Sequence, residues 1–301
     1  SVVASGRHAN IRRGWSLSDT RYISTRGEAP ELGFEDVVLA GLARDGGLYL
    51  PADWPRFEHD EIASFAGRPF HEIAAAVIAP FAIGAFTRDE LTALARDAYS
   101  GFGHTAVTPV AQLTPHRFVL ELFHGPTLAF EDVAMQFLSR LMDRILAARN
   151  ARATIVCATS GDTGGAAVEA FRGAHNVDIV VLFPEGRVSD VQRRMMTTPD
   201  EANVHALSIR GTFDDCQALV KAMFNDLAFR DRVALSGVNS INWARVVPQV
   251  SYYFAAAVAL GAPHRPVSFT VPTGNFGDIF AGYVARRMGL PIRNLTIASN
   301  E

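Results

Sequence analysis

Two glycine-rich segments of this chain have the composition of anion-binding loops: TSGDTGG at residues 159–165 and PTGNFGD at residues 272–278. Small residues let backbone N–H groups approach an anion at a helix N-terminus, where the helix dipole also favours negative charge. A tight turn between a strand and a helix has a similar composition, so each loop alone also allows a purely structural interpretation.

The elements around these loops alternate between short apolar strands and amphipathic helices, which is typical of a parallel sheet covered on both faces. The predicted strands are 154–158, 179–183, 204–209, 267–271 and 295–299, and the predicted helices are 165–171, 213–224 and 279–288. Ligands of open α/β sheets gather at the carboxyl ends of the strands. We therefore expect both loops to face one crevice.

The earlier part of the chain also predicts ordered elements. Helices are expected at 34–44, 73–79 and 88–99, and strands at 48–50 and 118–123. From Asp132 onward, apolar residues recur at helical spacing, which predicts a long amphipathic helix. Its first turn carries Glu131 and Asp132 near the positive end of the helix dipole.

Composition limits the classes of partner. A formal charge of −3 argues against nucleic acid or an anionic membrane, and two cysteines in 301 residues indicate a reducing compartment, expected to be the cytoplasm. No apolar run is long enough to predict a membrane span, and no metal site is predicted. Residues 1–20, rich in arginine and serine, are expected to be a disordered extension, either resembling a transit peptide or representing upstream sequence.

Seven segments resemble, in the same order, the motifs of threonine synthases. They are YISTRG at 22–27, FHGPTLAFED at 123–132, ATSGDTG at 158–164, PEGRVS at 184–189, GTFDDCQ at 211–217, NSINWAR at 239–245 and PTGNFGD at 272–278. The resemblance implies a tryptophan-synthase-β-like pyridoxal-phosphate fold of type II, truncated at its carboxyl end. It also implies conversion of O-phospho-L-homoserine and water to threonine and phosphate.

The resemblance further implies three sets of domain boundaries. An N-terminal domain would span 21–105 and a catalytic region 106–301, with a small subdomain at about 151–235. A small-molecule substrate, no nucleic acid and no membrane are the expected partners, and the chain would be a monomer or a homodimer.

The same resemblance implies roles for individual residues. Those expected to bind the pyridoxal phosphate are Asp162, Gly274, Asn275, Phe276 and Gly277. Those expected to bind substrate are Thr159, Ser160, Gly161, Thr163, Asn239, Ser240, Asn242 and Arg245. A guanidinium suits bidentate pairing with phosphate, so Arg245 is the first choice for the substrate phosphate, with Arg187 second. His124 is expected to form local hydrogen bonds.

Glu131 departs from the family pattern, because it occupies the position of the lysine that holds the cofactor as a Schiff base. A carboxylate cannot condense with an aldehyde, so this form is expected to be impaired. The single lysine of the chain, Lys221, is expected to lie on a helix away from both loops. Two alternatives therefore stay open: an inactive remnant that binds amino acids or phosphate, and a related threonine or serine dehydratase.

Overall fold

The computed structural model describes residues 19–239 and 242–299. The strands are β1 Arg21–Ser24, β2 Leu32–Gly33, β3 Tyr49–Pro51, β4 Val110–Thr114, β5 Arg117–Leu120, β6 Ala153–Ala158, β7 Val177–Pro184, β8 Val204–Ile209, β9 Leu235–Ser236, β10 Val267–Pro272 and β11 Ile292–Ala298. The helices are α1 Phe34–Ala40, α2 His59–Ala63, α3 Phe70–Ile78, α4 Arg88–Tyr99, α5 Glu131–Ala148, α6 Asp162–Phe171, α7 Asp190–Thr197, α8 Phe213–Asn225, α9 Leu227–Arg232, α10 Trp243–Ala259 and α11 Gly277–Arg287.

A parallel sheet with strand order β8-β7-β6-β9 lies at the centre of the second half of the chain. Its two faces bury different groups of residues. Val156 and Ala158 of β6 pack with Val220 and Phe224 of α8, whereas Cys157 joins the main core together with residues of α5 and α6. Alternate side chains of a strand point to opposite faces. The predicted α/β class with a sheet covered on both faces is therefore confirmed.

A second parallel sheet consists of β10 and β11. The two glycine-rich loops consequently follow strands of different sheets, β6 for the first loop and β10 for the second. The long helix α10 packs against α3, α5 and α11, and nearly all of its residues are buried. Helix α10 thus links the element that follows the second loop to the N-terminal helices.

The N-terminal part is an antiparallel sheet of order β2-β1-β3 beside the helix pair α3 and α4, followed by the hairpin β4–β5. The predicted helix 88–99 is found at the same limits, closed at its start by the Thr87–Glu90 capping box. The helix predicted to run to residue 44 is wrong at its end. It stops at Ala40, because Gly41 takes a φ of 65° that breaks the helical backbone.

Most of the predicted N-terminal extension, residues 1–18, lies outside the described residues. Thr20 was included in that extension, yet it is tied to the N-terminal domain: its hydroxyl donates to the Pro80 carbonyl at 3.1 Å. Within residues 19–239 and 242–299, no helix has both the length and the apolar character needed to cross a membrane.

Candidate active site

Thr159 closes the first glycine-rich loop from within. Its hydroxyl oxygen accepts hydrogen bonds from the Gly161 N–H at 2.9 Å and the Gly164 N–H at 2.8 Å. The side chain is buried, whereas the neighbouring Ser160 is exposed. Thr159 therefore shapes the turn, and its predicted contact with a substrate carboxylate stays a prediction.

Helix α7 holds the same loop from outside through Gln192. The Gln192 Nε2 donates to Asp162 Oδ1 at 2.8 Å, and its Oε1 accepts from the Ser189 N–H at 3.0 Å. Gly161 has a φ of 146°, and a side chain there would overlap the Gln192 amide. Gln192 was not predicted to belong to the site, although Ser189 and Gln192 have the spacing of a capping box.

Asp132 braces the segment before α5. Its carboxylate accepts hydrogen bonds from the Thr127 N–H and the Thr127 hydroxyl, both at 2.8 Å. Burial raises the pKa of Asp132 to about 6, against the opposing effect of the hydrogen bonds from Thr127. The charge of this carboxylate is thus sensitive to pH in the range where most carboxylates are fully ionised.

Glu131 is buried at the start of α5 among groups from three other elements. Its Oε1 accepts a hydrogen bond of 3.1 Å from the Thr163 hydroxyl of α6 and lies 3.9 Å from Nη2 of Arg245. Burial raises the pKa of the nearby Cys157 thiol to about 12, although Arg245 opposes this effect. Glu131 is therefore a carboxylate with a hydrogen-bond donor and a cation beside it.

Arg245 occupies an interior position rather than a wall of a cleft. It is 1% exposed, and its Nη1 donates to the Val238 carbonyl at 3.0 Å. Its Nε has no partner within the described residues. Burial lowers the pKa of Arg245 below its usual value, although the charge of Glu131 opposes this shift. The contact of Arg245 with a substrate phosphate stays a prediction. Arg187, the second choice, is exposed on the turn before α7.

The remaining predicted residues of NSINWAR have different surroundings. Asn242 is the N-cap of α10: its Oδ1 accepts from the Ala244 N–H, and its Nδ2 donates to the Gly237 and Val38 carbonyls. Its polar atoms are thus used within the protein. Asn239 Oδ1 is buried without a partner in the described part of the chain. Ser240 lies outside the described residues.

The second glycine-rich loop precedes α11. Phe276, the N-cap, has a φ of 60°, and Gly274, Asn275 and Phe276 are exposed. Asp278 in the first turn of α11 accepts hydrogen bonds from the hydroxyls of Tyr252, at 2.5 Å, and Tyr253, at 2.8 Å. These two tyrosines of α10 fix the helix start and leave the backbone amides of the loop accessible.

A cavity of about 640 Å³ brings several of these segments together. It lies at the carboxyl end of β6, on the side of the sheet that α8 covers. Asn239 and Asn275 line it, and so does Lys221. The expectation that Lys221 lies away from both loops is therefore wrong: it shares this cavity with Asn275 of the second loop and with Ala158, which directly precedes the first.

His124 forms the local hydrogen bond expected of it. Its Nε2 lies 2.8 Å from Glu121 Oε2, three residues earlier in the chain. Asp215 takes part in a capping box at the start of α8: its carboxylate accepts from the Thr212 N–H, and its own N–H donates to the Thr212 hydroxyl. Neither residue is drawn into the cavity.

Comparison with known proteins gives the family of this chain. Residues 101–301 match the model of pyridoxal-phosphate dependent enzymes, and residues 21–99 match the model of the threonine synthase N terminus. The chain belongs to the family of pyridoxal-phosphate-dependent enzymes. The predicted fold type and the predicted cofactor of the family are confirmed by this match and by the solved structures below.

Several relatives of this chain are named threonine synthases. The threonine synthase of Pseudomonas aeruginosa is 57% identical over 281 residues, which are 93% of this chain and 60% of that protein. The one from Schizosaccharomyces pombe is 45% identical, over 94% of this chain and 57% of its own length. The crystal structure of pyridoxal-phosphate-bound threonine synthase from Brucella melitensis superposes with a TM-score of 0.87 at 64% identity, covering 93% of this chain and 60% of that one.

Two facts follow from these matches. The resemblance to threonine synthases that the seven motifs carry is confirmed. The chain spans about 60% of the length of the three relatives named above.

The residues of this chain fit the phosphate group of pyridoxal phosphate but not its aldehyde group. The loop before α11 fits the phosphate: it offers helix N-terminal amides, and a side-chain carbon at Gly274 would meet no atom within 4 Å. The start of α5 does not fit the aldehyde, because Glu131 has no amine and is paired with Thr163 and Arg245. Covalent attachment at residue 131 is thus chemically excluded.

Proposed function

We propose that this chain has the function of a threonine synthase, acting on O-phospho-L-homoserine and water to give L-threonine and phosphate, in a form impaired by Glu131. The observation that carries the proposal is the cavity at the end of β6. Five of the seven threonine-synthase-like segments contribute to its wall: Arg26, Ala158, Gln217, Asn239 and Asn275 each come from a different one. The proposal includes a cytoplasmic location and a monomer or homodimer.

The chemistry of the site supports a substrate and a cofactor that both carry phosphate. Backbone amides at the N-termini of α6 and α11 suit two anionic groups. Pyridoxal phosphate, where it is held, would supply electron withdrawal from the amino-acid carbon of the substrate. This chain lacks the amine that would make that bond at residue 131, so the residues that remain can bind and orient but not attach the cofactor there.

A second candidate is a non-catalytic protein that binds phosphorylated amino acids. The specific observation in its favour is that Glu131 is well accommodated. It has a hydrogen-bond donor in Thr163 and a cation in Arg245, so its carboxylate is paired without an amine. A site retained for binding alone would look like this.

The deciding experiment compares the protein with Glu131→Lys and, as a matched control, Glu131→Gln. Each is mixed with pyridoxal phosphate, its absorbance is recorded, and the adduct is trapped with borohydride and located by peptide mass spectrometry. We expect an adduct at residue 131 only in the lysine variant. Failure of the lysine variant to trap cofactor at residue 131 would contradict the assignment of that position.

Product analysis separates the candidate activities. Glu131→Lys should release phosphate from O-phosphohomoserine, whereas a dehydratase would form 2-oxobutyrate from threonine. Binding of O-phosphohomoserine without any product, in both the unchanged protein and the lysine variant, would favour the binding protein. Turnover by the unchanged protein at the rate of the lysine variant would contradict the impaired role of Glu131.

A further inference from the structure

The wall of the cavity at the end of β6 carries two cationic side chains and no carboxylate among the described residues. The cations are Arg26, from the loop after β1, and Lys221, from α8. We propose that Lys221 and Arg26 form the subsite that binds the phosphate monoester of the substrate. This inference rests on the proposed function and deepens it, because it assigns phosphate recognition to residues that the motifs did not single out.

Helix α8 directs one face into the cavity. Gln217, Val220, Lys221 and Phe224 are spaced at i, i+3, i+4 and i+7, so they lie on the same side of the helix. Val220 and Phe224 are buried against β6, whereas Lys221 is exposed. The apolar residues anchor the helix on the sheet, and the long lysine stem can carry its ammonium group into the opening.

Lys221 is electrostatically uncommitted. It forms no hydrogen bond or ion pair within residues 19–239 and 242–299. Several basic side chains of the described chain are instead paired on the surface, as Arg172 is with Glu201 at 2.6 Å. A cation without a carboxylate partner on a cavity wall is available for an anionic ligand.

Arg26 is oriented without being neutralised. Its Nη1 donates to the main-chain carbonyl of Asp45 at 2.8 Å, which is a neutral acceptor. The Asp45 carboxylate is occupied elsewhere: Oδ1 accepts from the Ser24 hydroxyl and the Gly47 N–H, and Oδ2 accepts from the N–H groups of Glu28 and Ala29. The guanidinium thus has one hydrogen bond that orients it and no carboxylate partner among the described residues, which suits bidentate phosphate binding.

Asn239 adds an independent indication of a ligand. Its Oδ1 is buried without a hydrogen-bond partner in the described chain, and the residue lines the same cavity. Buried polar side-chain atoms in folded proteins are nearly always paired, so an unpaired one on a cavity wall points to a group that the ligand supplies. An amide oxygen accepts hydrogen bonds, so the unpaired Oδ1 of Asn239 suits the ammonium group of the substrate.

The position of Arg245 supports this assignment. Arg245, the first choice from the motifs, is interior, faces Glu131 and donates to Val238. The cavity has the volume of a small-molecule site and contains the only cations described on its wall, Arg26 and Lys221. A phosphate dianion paired with these two charges leaves the amino-acid end of the substrate toward the asparagines.

Because Lys221 is the single lysine, it can be probed without competing side-chain amines. The protein is treated with a lysine-selective acylating reagent, and the rate of labelling of the peptide containing residue 221 is followed by mass spectrometry. The probes are inorganic phosphate, O-phospho-L-homoserine, L-homoserine and pyridoxine 5′-phosphate, which resembles the cofactor but lacks its aldehyde. We expect saturating O-phosphohomoserine to slow labelling roughly tenfold, inorganic phosphate to slow it at higher concentration, and homoserine to have no effect.

Affinities of variants provide the second readout. Loss of a charge-assisted hydrogen bond weakens binding about tenfold or more, so Lys221→Met and Arg26→Met should each raise the Kd for O-phosphohomoserine by that factor. Lys221→Arg should retain binding within a few-fold. Arg96→Met, which removes an exposed charge of α4 that does not line the cavity, should leave the Kd unchanged.

Each possible outcome of these experiments either supports or overturns the inference. Unchanged affinity in Lys221→Met, absence of protection at saturating O-phosphohomoserine, or no detectable phosphate binding overturns the inference. Protection by pyridoxine phosphate but not by O-phosphohomoserine assigns the subsite to the cofactor and also overturns it. If Lys221-dependent phosphate binding is found while Glu131→Lys releases no phosphate, the inference stands and the proposed function fails. If Glu131→Lys is active and Lys221→Met in that background leaves KM unaltered, the proposed function stands and the inference fails.

Discussion

The Oε1 atom of Glu131 lies 3.9 Å from Nη2 of Arg245, and both side chains are buried. The Thr163 hydroxyl completes the surroundings of the carboxylate at 3.1 Å. In this chain the position that resembles a cofactor-binding lysine is thus occupied by the negative partner of an interior guanidinium. The two residues come from segments more than a hundred positions apart, so each depends on the fold for its charge compensation.

The losses of stability on removing Glu131 and Arg245 singly should not add up when both are removed. Glu131→Gln leaves a buried guanidinium without its counter-charge, and Arg245→Met leaves a buried carboxylate, each expected to lower the free energy of unfolding by roughly 3–5 kcal/mol. The double variant leaves neither charge of this pair buried and should lose clearly less than the sum of the two single losses. Urea unfolding of the four proteins measures the coupling.

A surface pair provides the control for that cycle. Arg210 and Glu185 are 3.5 Å apart with side chains 94% and 57% exposed. Arg210→Met, Glu185→Gln and their combination should therefore show a coupling below about 1 kcal/mol. Additive losses at Glu131 and Arg245, as at the surface pair, would contradict the buried interaction.

The stability of the protein should fall as the pH rises from about 4 to about 6, through the titration of Asp132. Its folded pKa, raised by burial to about 6, lies above the value of 3.8 for the unfolded chain. Between these values the folded state binds more protons, so raising the pH favours unfolding, by about 3 kcal/mol at most. Asp132→Asn should flatten this part of the profile measured by chemical unfolding, while Asp97→Asn, an exposed carboxylate, should not.

Gly161 should tolerate a side chain poorly. A methyl group there would overlap the Gln192 amide and would require a φ of 146°, which L residues rarely adopt. Gly161→Ala should therefore destabilise the protein and displace α7 from the loop. Gly173→Ala is the matched control, because its φ is 73° and no atom lies within 4 Å.

The contribution of the overlap with Gln192 can be separated from that of the backbone strain at Gly161. Gly161→Ala combined with Gln192→Ala relieves the overlap but not the backbone strain, so it should recover only part of the loss in thermal unfolding. The loss in Gly173→Ala reports strain alone, typically 1–3 kcal/mol. An equal loss at both glycines would mean that Gln192 does not constrain the loop.

Periodicity predicted the parallel strands and their helices well because each of those elements has one apolar face or a short apolar run. It failed for α10. This helix is apolar on nearly every side and contains Pro248, so no polar stripe marks its period and a residue that usually breaks helices lies inside it. The neighbours α3, α5 and α11, which bury it, are distant in sequence.

The site was predictable only where backbone chemistry determines it. The loops before α6 and α11 carry their glycines in the sequence, and they lie where the strand–loop–helix pattern puts them. Side-chain contacts between distant segments were not readable: Gln192 reaches Asp162 from another helix, and Lys221 reaches the cavity because α8 packs on β6. The motifs also favoured Arg245 for the phosphate, since a sequence does not reveal that its guanidinium turns inward toward Glu131.

Asp45 should control the position of Arg26 and, through it, the phosphate subsite. Its carboxylate organises the loop after β1 by accepting from Ser24, Gly47, Glu28 and Ala29, and its carbonyl holds Arg26. Asp45→Asn replaces one acceptor oxygen by a donor and leaves two backbone N–H groups without a partner. We expect a lower thermal unfolding temperature and weaker binding of O-phosphohomoserine, with Asp53→Asn, an exposed carboxylate, as the unaffected control.

The pH dependence of this loop tests the same contacts by a second route. Desolvation raises the pKa of Asp45, but the hydrogen bonds from Gly47, Ser24, Ala29 and Glu28 together outweigh it. The pKa of Asp45 therefore falls to about 2. A folded pKa below the unfolded value of 3.8 gives stability that is complete above about pH 4 and is lost as the pH falls toward 2. The difference in unfolding free energy between the protein and Asp45→Asn should therefore be constant from pH 7 to pH 5 and shrink below pH 4. A difference that stays constant down to pH 2 would show that the carboxylate charge does not hold the loop, and Arg26 would then need another source of order.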